Sequence, residues 1–100
     1  MDIIYDITTS DEWKAGQAKG AYESASLKEE GFIHCSQQEQ LPEVLIRYFS
    51  GKTGLVKLSI DPKKLTSRLI YEWSPSLEQT FPHIYGPINT DAVISAESIQ

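Results

Sequence analysis

Gly54-Leu55-Val56-Lys57-Leu58-Ser59-Ile60, closed by Asp61-Pro62, is the stretch on which the fold turns. In an extended chain Val56, Leu58 and Ile60 fall on one face and Leu55 on the other, because strand side chains alternate with a period of two. It reads as a central strand. Asp61-Pro62 ends it, since proline brings no N–H to a ladder. Ser67 to Trp73 repeats the alternation, with Leu69, Tyr71 and Trp73 on one face and Arg68, Ile70 and Glu72 on the other. Ser74 to Thr80 reads as a polar loop. Pro82, Gly86 and Pro87 bracket an extended piece through Ile84, and Ala92 to Ile99 reads as a last strand with Val93 inward.

Upstream, Pro42 suits the first position of a helix. That helix carries Val44, Leu45, Tyr48 and Phe49 at the spacing of one buried face, and Gly51 closes it. Gly31 turns the chain into a short apolar strand, Phe32 to Cys35. Gly20 to Glu30 reads as irregular, with Tyr22 and Leu27 inward. Thr9-Ser10-Asp11-Glu12 fits a capping box, with Thr9 as the cap and Glu12 three residues on. The helix it opens runs to about Lys19, is anchored by Trp13 and stops at Gly20. Ile3 to Thr8 is the first strand. Two strand–helix alternations followed by strands predict an α+β class: a mostly antiparallel twisted sheet with two helices.

The 100 residues are the size of one domain. Hydrophobic residues make up 40% of them, enough for a core. With 14 acidic and 9 basic residues the net charge is -5, so there is no basic surplus to displace counterions from a phosphate backbone, and nucleic acid is not the expected partner. Cys35 is the single cysteine, which rules out an intrachain disulfide and a cysteine-type zinc site. No apolar run approaches the roughly 20 residues that span a bilayer, and no basic stretch precedes an apolar one at the N-terminus. The expectation is a cytoplasmic protein with no membrane partner. Oligomeric state is open.

Two histidine motifs stand out: Gly31-Phe32-Ile33-His34-Cys35-Ser36 and Phe81-Pro82-His83-Ile84-Tyr85-Gly86. His34 lies in an apolar strand, where its ring nitrogens need partners. It is either a core histidine bonded to backbone or a ligand for a polar group in a cleft. Period two puts Phe32, His34 and Ser36 on one face and Ile33 and Cys35 on the other. The imidazole therefore cannot activate the Cys35 thiol, which reads as buried and inert. In the second motif, prolines and a glycine stiffen a segment that presents His83 and Tyr85 on one face, either as a plain aromatic turn or as a site. Glu72 is placed to bond a sugar hydroxyl, to orient a histidine, or to sit in water, and Arg68 shares its face. Two histidines without an evident third ligand predict no metal.

These motifs resemble a bacterial family catalogued as domain of unknown function 952. The resemblance covers nearly the whole chain. It rests on Ile4-Tyr5, Trp13, Ser26-Leu27, Glu30 to Ser36, Gln40, Ile60-Asp61, Tyr71-Glu72 and Phe81 to Pro87. It implies a fold similar to that of ADP-ribosyltransferases, which elsewhere bind NAD. The chain order also resembles that of NAD-using RNA 2'-phosphotransferases, with Phe32-Ile33-His34 at their second histidine motif and Asp6-Ile7-Thr8 at their first. Asp6 stands where those enzymes carry histidine or arginine, and Glu29-Glu30 where they carry arginine. A carboxylate repels a dinucleotide phosphate and cannot donate to it.

Three functions follow as expectations. The first is a small-molecule pocket, with nucleotide-like ligands among the candidates, formed by His34, Ser36, His83 and Tyr85, with Tyr5 from the first strand. The second, implied by the resemblance, is an NAD-dependent transferase with Glu72 and His34 as catalytic residues. The third is a non-catalytic interaction module.

Overall fold

The computed structural model describes residues 2–99. The alternating stretch forms β4 (Leu55–Ile60), the middle strand of an antiparallel sheet between β1 (Ile4–Thr9) and β8 (Val93–Ser98). The register sets Ile4 opposite Ile60, Asp6 opposite Leu58 and Thr8 opposite Val56. One face of β1 and β4 therefore presents Ile4, Val56, Leu58 and Ile60 to the main core, where they meet Tyr22, Ile33, Cys35, Ile84, Ile88 and Ala92. The other face presents Ile7 and Leu55 to α3 (Leu41–Phe49), whose Leu41, Leu45 and Phe49 cover them.

A second antiparallel sheet has β6 (Gln79–Tyr85) at its centre, between β3 (Ile33–His34) and β5 (Arg68–Ser74). A two-stranded ladder joins β2 (Ala21–Tyr22) to β7 (Ile88–Asn89). Only narrow links stitch the two larger sheets together. The Tyr5 N–H donates to the Ser36 carbonyl at 2.8 Å and the Ser36 N–H returns to Tyr5 at 2.7 Å, while within the second sheet the Cys35 N–H donates to the Pro82 carbonyl at 3.0 Å.

Thr9 caps α1 (Ser10–Lys19), its hydroxyl oxygen accepting from the Glu12 N–H at 3.1 Å. Glu12 completes the expected box differently: its carboxylate accepts the hydroxyls of Thr8 and Thr9 and not a backbone N–H. Trp13 packs edge-on to Tyr22, with ring centroids 6.4 Å apart.

The structure corrects the sequence reading at several points. The irregular stretch contains a third helix, α2 (Ala25–Glu30), so among the described residues there are three α-helices and not two. Ala25 to Glu30 are ordinary helix formers, but six residues are too few to show a buried stripe. The expected polar loop Ser74 to Thr80 is a hairpin: β5 and β6 stay paired up to Ser74 and Gln79, and Glu78 turns the chain with φ 53. The single expected sheet is, among the described residues, three, all antiparallel. The buried face of α3 is narrower than its spacing suggested, for Tyr48 is 52% exposed.

Candidate functional site

Gly31 has φ 88, a left-handed conformation that ends α2 and swings the chain into β3. From there period two takes over. Ile33 and Cys35 enter the core, while Phe32 and His34 take the other face. Across the ladder His34 is the direct partner of His83, and Ile33 of Ile84. On β5, Ile70 pairs with His83, Glu72 with Phe81 and Arg68 with Tyr85. Six side chains of chemical interest thus lie on one face of one sheet.

They touch. The Phe32 ring stacks on His83 with centroids 4.2 Å apart and meets His34 edge-on at 4.8 Å. The two imidazole centroids are 5.1 Å apart. His83 is buried, and its Nδ1 bonds Glu72 Oε1 at 2.7 Å. The Tyr85 hydroxyl donates to the same oxygen. The Tyr85 and His83 bonds hold the Glu72 carboxyl below its ordinary value, so it stays ionised, and the Tyr85 phenol is pushed up in return. An ionised Glu72 fixes the Nδ1–H tautomer of His83 and leaves Nε2 as the basic nitrogen. His34 is not a core histidine: it is exposed, and its Nε2 bonds Glu30 at 2.8 Å.

His34, Ser36 and His83 line a cleft of about 700 Å³. Its walls come from four quarters: Asp6 and Ile7 of β1, Glu12 and Tyr22, the segment from Ser24 to Glu30, and Val44 and Tyr48 of α3 facing the hairpin tip at 73–77. Gln40 holds the last two together. Its side-chain amide donates to the Thr80 carbonyl at 2.9 Å and its carbonyl oxygen accepts the Gln37 N–H at 2.8 Å, which pins the hairpin to the start of α3. The volume is that of a small-molecule site.

Not every expected residue reaches the cleft. Glu72 and Tyr85 stand behind His83 and act on the cleft only through it. Tyr5 lies elsewhere: it lines a separate depression with Tyr71, its ring lies 5.5 Å from the Lys57 ammonium, and its link to Ser36 is backbone only. Cys35 is buried and its thiol is pushed well up, by burial first and then by Asp6. Among the described residues no three His, Cys, Asp or Glu side chains converge as metal ligands. No helix among them is long and apolar enough to cross a membrane.

Asp6, which the sequence marked only as a departure from the phosphotransferase pattern, also lines the cleft. It is only 6% exposed, and burial pushes its carboxyl up to about 8, with Glu12 adding to the effect and the Tyr22 hydroxyl opposing it. The signal was in β1: by period two Asp6 shares the inward face of Ile4, and a carboxylate on a core face needs an explanation.

The fold and cleft define a small α+β protein with two antiparallel sheets meeting at a histidine-lined gap. The family described as Protein of unknown function (DUF952) matches residues 7–96, and the chain belongs to it. It is similar to protein CC0527 from Caulobacter crescentus. The crystal structure of CC0527 has a TM-score of 0.89 at 34% identity, covering 98% of this chain and 86% of that one. Its solution NMR structure gives a TM-score of 0.80 at 33% identity, covering 100% and 86%. No curated protein matches the chain.

Proposed function

We propose that the protein binds a small molecule in the cleft between its two larger sheets, with His83 as the group that exchanges a proton or hydrogen bond with the ligand. One observation carries this reading: the two histidine motifs pair across a ladder, His34 opposite His83, on the wall of a cleft of about 700 Å³. Glu72 holds Nδ1 of His83 at 2.7 Å and turns Nε2 into an acceptor. Ser36 and His34 supply further polar contacts, and Phe32 holds the His83 ring in place by stacking. Glu72 and Tyr85 serve as positioning residues in this reading, and Tyr5 has no part in it. The buried free thiol of Cys35 suits the cytoplasmic location expected from the sequence.

The ADP-ribosyltransferase-like fold and NAD-dependent transfer, which the sequence resemblance implies, form the alternative. The charge of the cleft weighs against it. Asp6, Glu12 and Glu30 line the cavity, and among the described residues no lysine or arginine does. A pyrophosphate needs cationic or N–H donors there. Amide NMR titration of the 15N-labelled protein with adenosine, ADP-ribose, NAD and a set of small neutral, anionic and cationic aromatics tests both readings. The expected result is movement of the amides at 32–36 and 81–85 for at least one probe, lost in His83→Gln. Saturable movement with NAD in that region would restore the alternative. Probes that perturb only other surfaces would refute a site at the histidine pair.

A further inference from the structure

The same cleft has in its lining a carboxyl with one buried oxygen that bonds nothing. Asp6 Oδ2 is the one buried side-chain polar atom among the described residues that lacks a hydrogen-bond partner. The reason is local. The Tyr22 hydroxyl donates to Thr8 at 2.8 Å, and the Thr8 hydroxyl donates to Glu12 at 3.0 Å. The Tyr22 hydroxyl, the side-chain donor that also faces Asp6, is thereby turned toward Thr8, and Oδ2 is left without a partner. A buried polar atom without a partner is rare in a native fold and calls for something that relieves it.

The surroundings say what that something is. Asp6, Glu12 and Glu30 line the cavity, and no lysine or arginine among the described residues joins them. The remaining polar lining consists of serines, Tyr22, Tyr48, the Cys35 thiol and the two imidazoles. The rings of Tyr22, Tyr48, Phe49, Trp73 and Phe81 line the same cavity. Carboxylates and aromatic rings lining one cavity attract a cation twice, by charge and through the ring quadrupoles.

Building on the small-molecule reading above, we propose that Asp6 is the recognition residue for an organic cation, and that the cleft selects ligands bearing a protonated amine or guanidinium nitrogen on an apolar or aromatic scaffold. The cation donates to Asp6 Oδ2 and neutralises the carboxylate. In the free protein Asp6 holds a proton over much of the neutral range, because burial pushes it up to about 8. Binding a cation therefore expels that proton, and affinity rises with pH as the carboxylate ionises. The groups facing Asp6 are Tyr22 from β2, Glu12 from α1 and Cys35 beyond β3. Glu30, His34, His83 and Tyr48 share the same cleft, so the contribution of Asp6 has to be isolated by substitution.

Phenylguanidinium and its neutral isostere phenylurea, with benzylammonium and AMP as further arms, make the test. Dissociation constants are measured by amide NMR titration at pH 6.5 and 8.5 on the wild type and on Asp6→Asn. The expected result is binding of phenylguanidinium at least tenfold tighter than phenylurea at pH 8.5. For a carboxyl titrating at about 8, affinity for the cation rises about twentyfold between the two pH values, following the ionised fraction. Asp6→Asn removes both the preference and the rise. Benzylammonium against phenylguanidinium tells an amine site from a guanidinium site. If phenylurea or AMP binds the cleft as tightly as the cation, the cation assignment is overturned and the small-molecule reading stands. If no probe moves a cleft amide, both fall. Should Asp6→Asn fail to fold, the cation-to-urea ratio and its pH dependence in the wild type decide alone.

Discussion

Asp6 also makes a prediction about the protein without any ligand. Its carboxyl is raised to about 8 in the fold, whereas an unfolded aspartate titrates near 3.9. Between those values the native state holds a proton that the unfolded state does not. Stability therefore falls as pH rises through that window, and levels off above it. Each pH unit inside the window is worth about 1.4 kcal/mol, so moving from pH 5 to pH 7 removes up to ~2.7 kcal/mol from this residue alone. Asparagine in its place cannot titrate. It carries its own fixed penalty, because an amide donor meets the same crowded site, but that penalty does not change with pH. The informative quantity is thus the difference between Asp6→Asn and the wild type. It should move in favour of the variant by up to ~2.7 kcal/mol between pH 5 and pH 7, or on the order of 10 °C in Tm for a domain of this size. Titrating groups that do not interact with Asp6 cancel in the difference. Calorimetric or circular-dichroism melts at half-unit steps of pH provide the measurement. A difference that stays flat across the window would refute the raised carboxyl.

Three further outcomes test other parts of the structure. Replacing Glu72 with glutamine removes the carboxylate that accepts from Tyr85 and His83. Tyr85 should then ionise at lower pH than in the wild type, read by ultraviolet difference titration, and the His83 ring should lose its single tautomer in 15N-detected spectra. Leu58→Ala empties the centre of β4, where the side chain is fully buried, and should cost about 2–5 kcal/mol in urea denaturation. Gly86→Ala places a methyl 2.5 Å from Ser67 Oγ and 2.9 Å from its Cβ, while that hydroxyl is tied to the Pro87 carbonyl at 2.6 Å. The variant should lose about 1–3 kcal/mol and loosen the end of β6, seen as faster amide exchange at Tyr85.

Local periodicity carried most of the fold. Val56, Leu58 and Ile60 alternate without interruption, and they are the buried face of the central strand. The same rule put Ile33 and Cys35 opposite His34, as the core and the exposed imidazole now show. It failed where elements were too short to have a period. Six residues of α2 show no stripe, and Gln79-Thr80 look like loop although β6 runs through them. The site was legible as two motifs but not as one place, because the pairing of His34 with His83 spans half the chain and is set by a ladder and not by either motif. Tyr5 shows the opposite error. Its resemblance to a family mark placed it with the ligand-binding residues, while its own alternation with Asp6 already put it on the other face of β1.

The location of the cleft follows from one strand being short. β1 is fully paired along one side, by β4, over six positions from Ile4 to Thr9. On its other side the described residues offer a single bridge, Tyr5 to Ser36, because β3 has only two residues and then leaves for α3. A longer β3 would have zipped the two sheets into one and buried Asp6 against a neighbour. Beyond Ser36 no further pair joins β1 to the second sheet among the described residues, and Asp6 of β1, His34 of β3 and His83 of β6 all line the cleft. An edge left unpaired beside a core face leaves its polar groups in want of partners. Here those groups are an acid that titrates near neutrality and a histidine held by a second acid. The ionised Asp6 disfavours an anionic ligand and favours a cationic one, and a cation that ionises Asp6 expels its proton. Proton release on cation binding, and its loss in Asp6→Asn, therefore reads the topology as directly as it reads the chemistry.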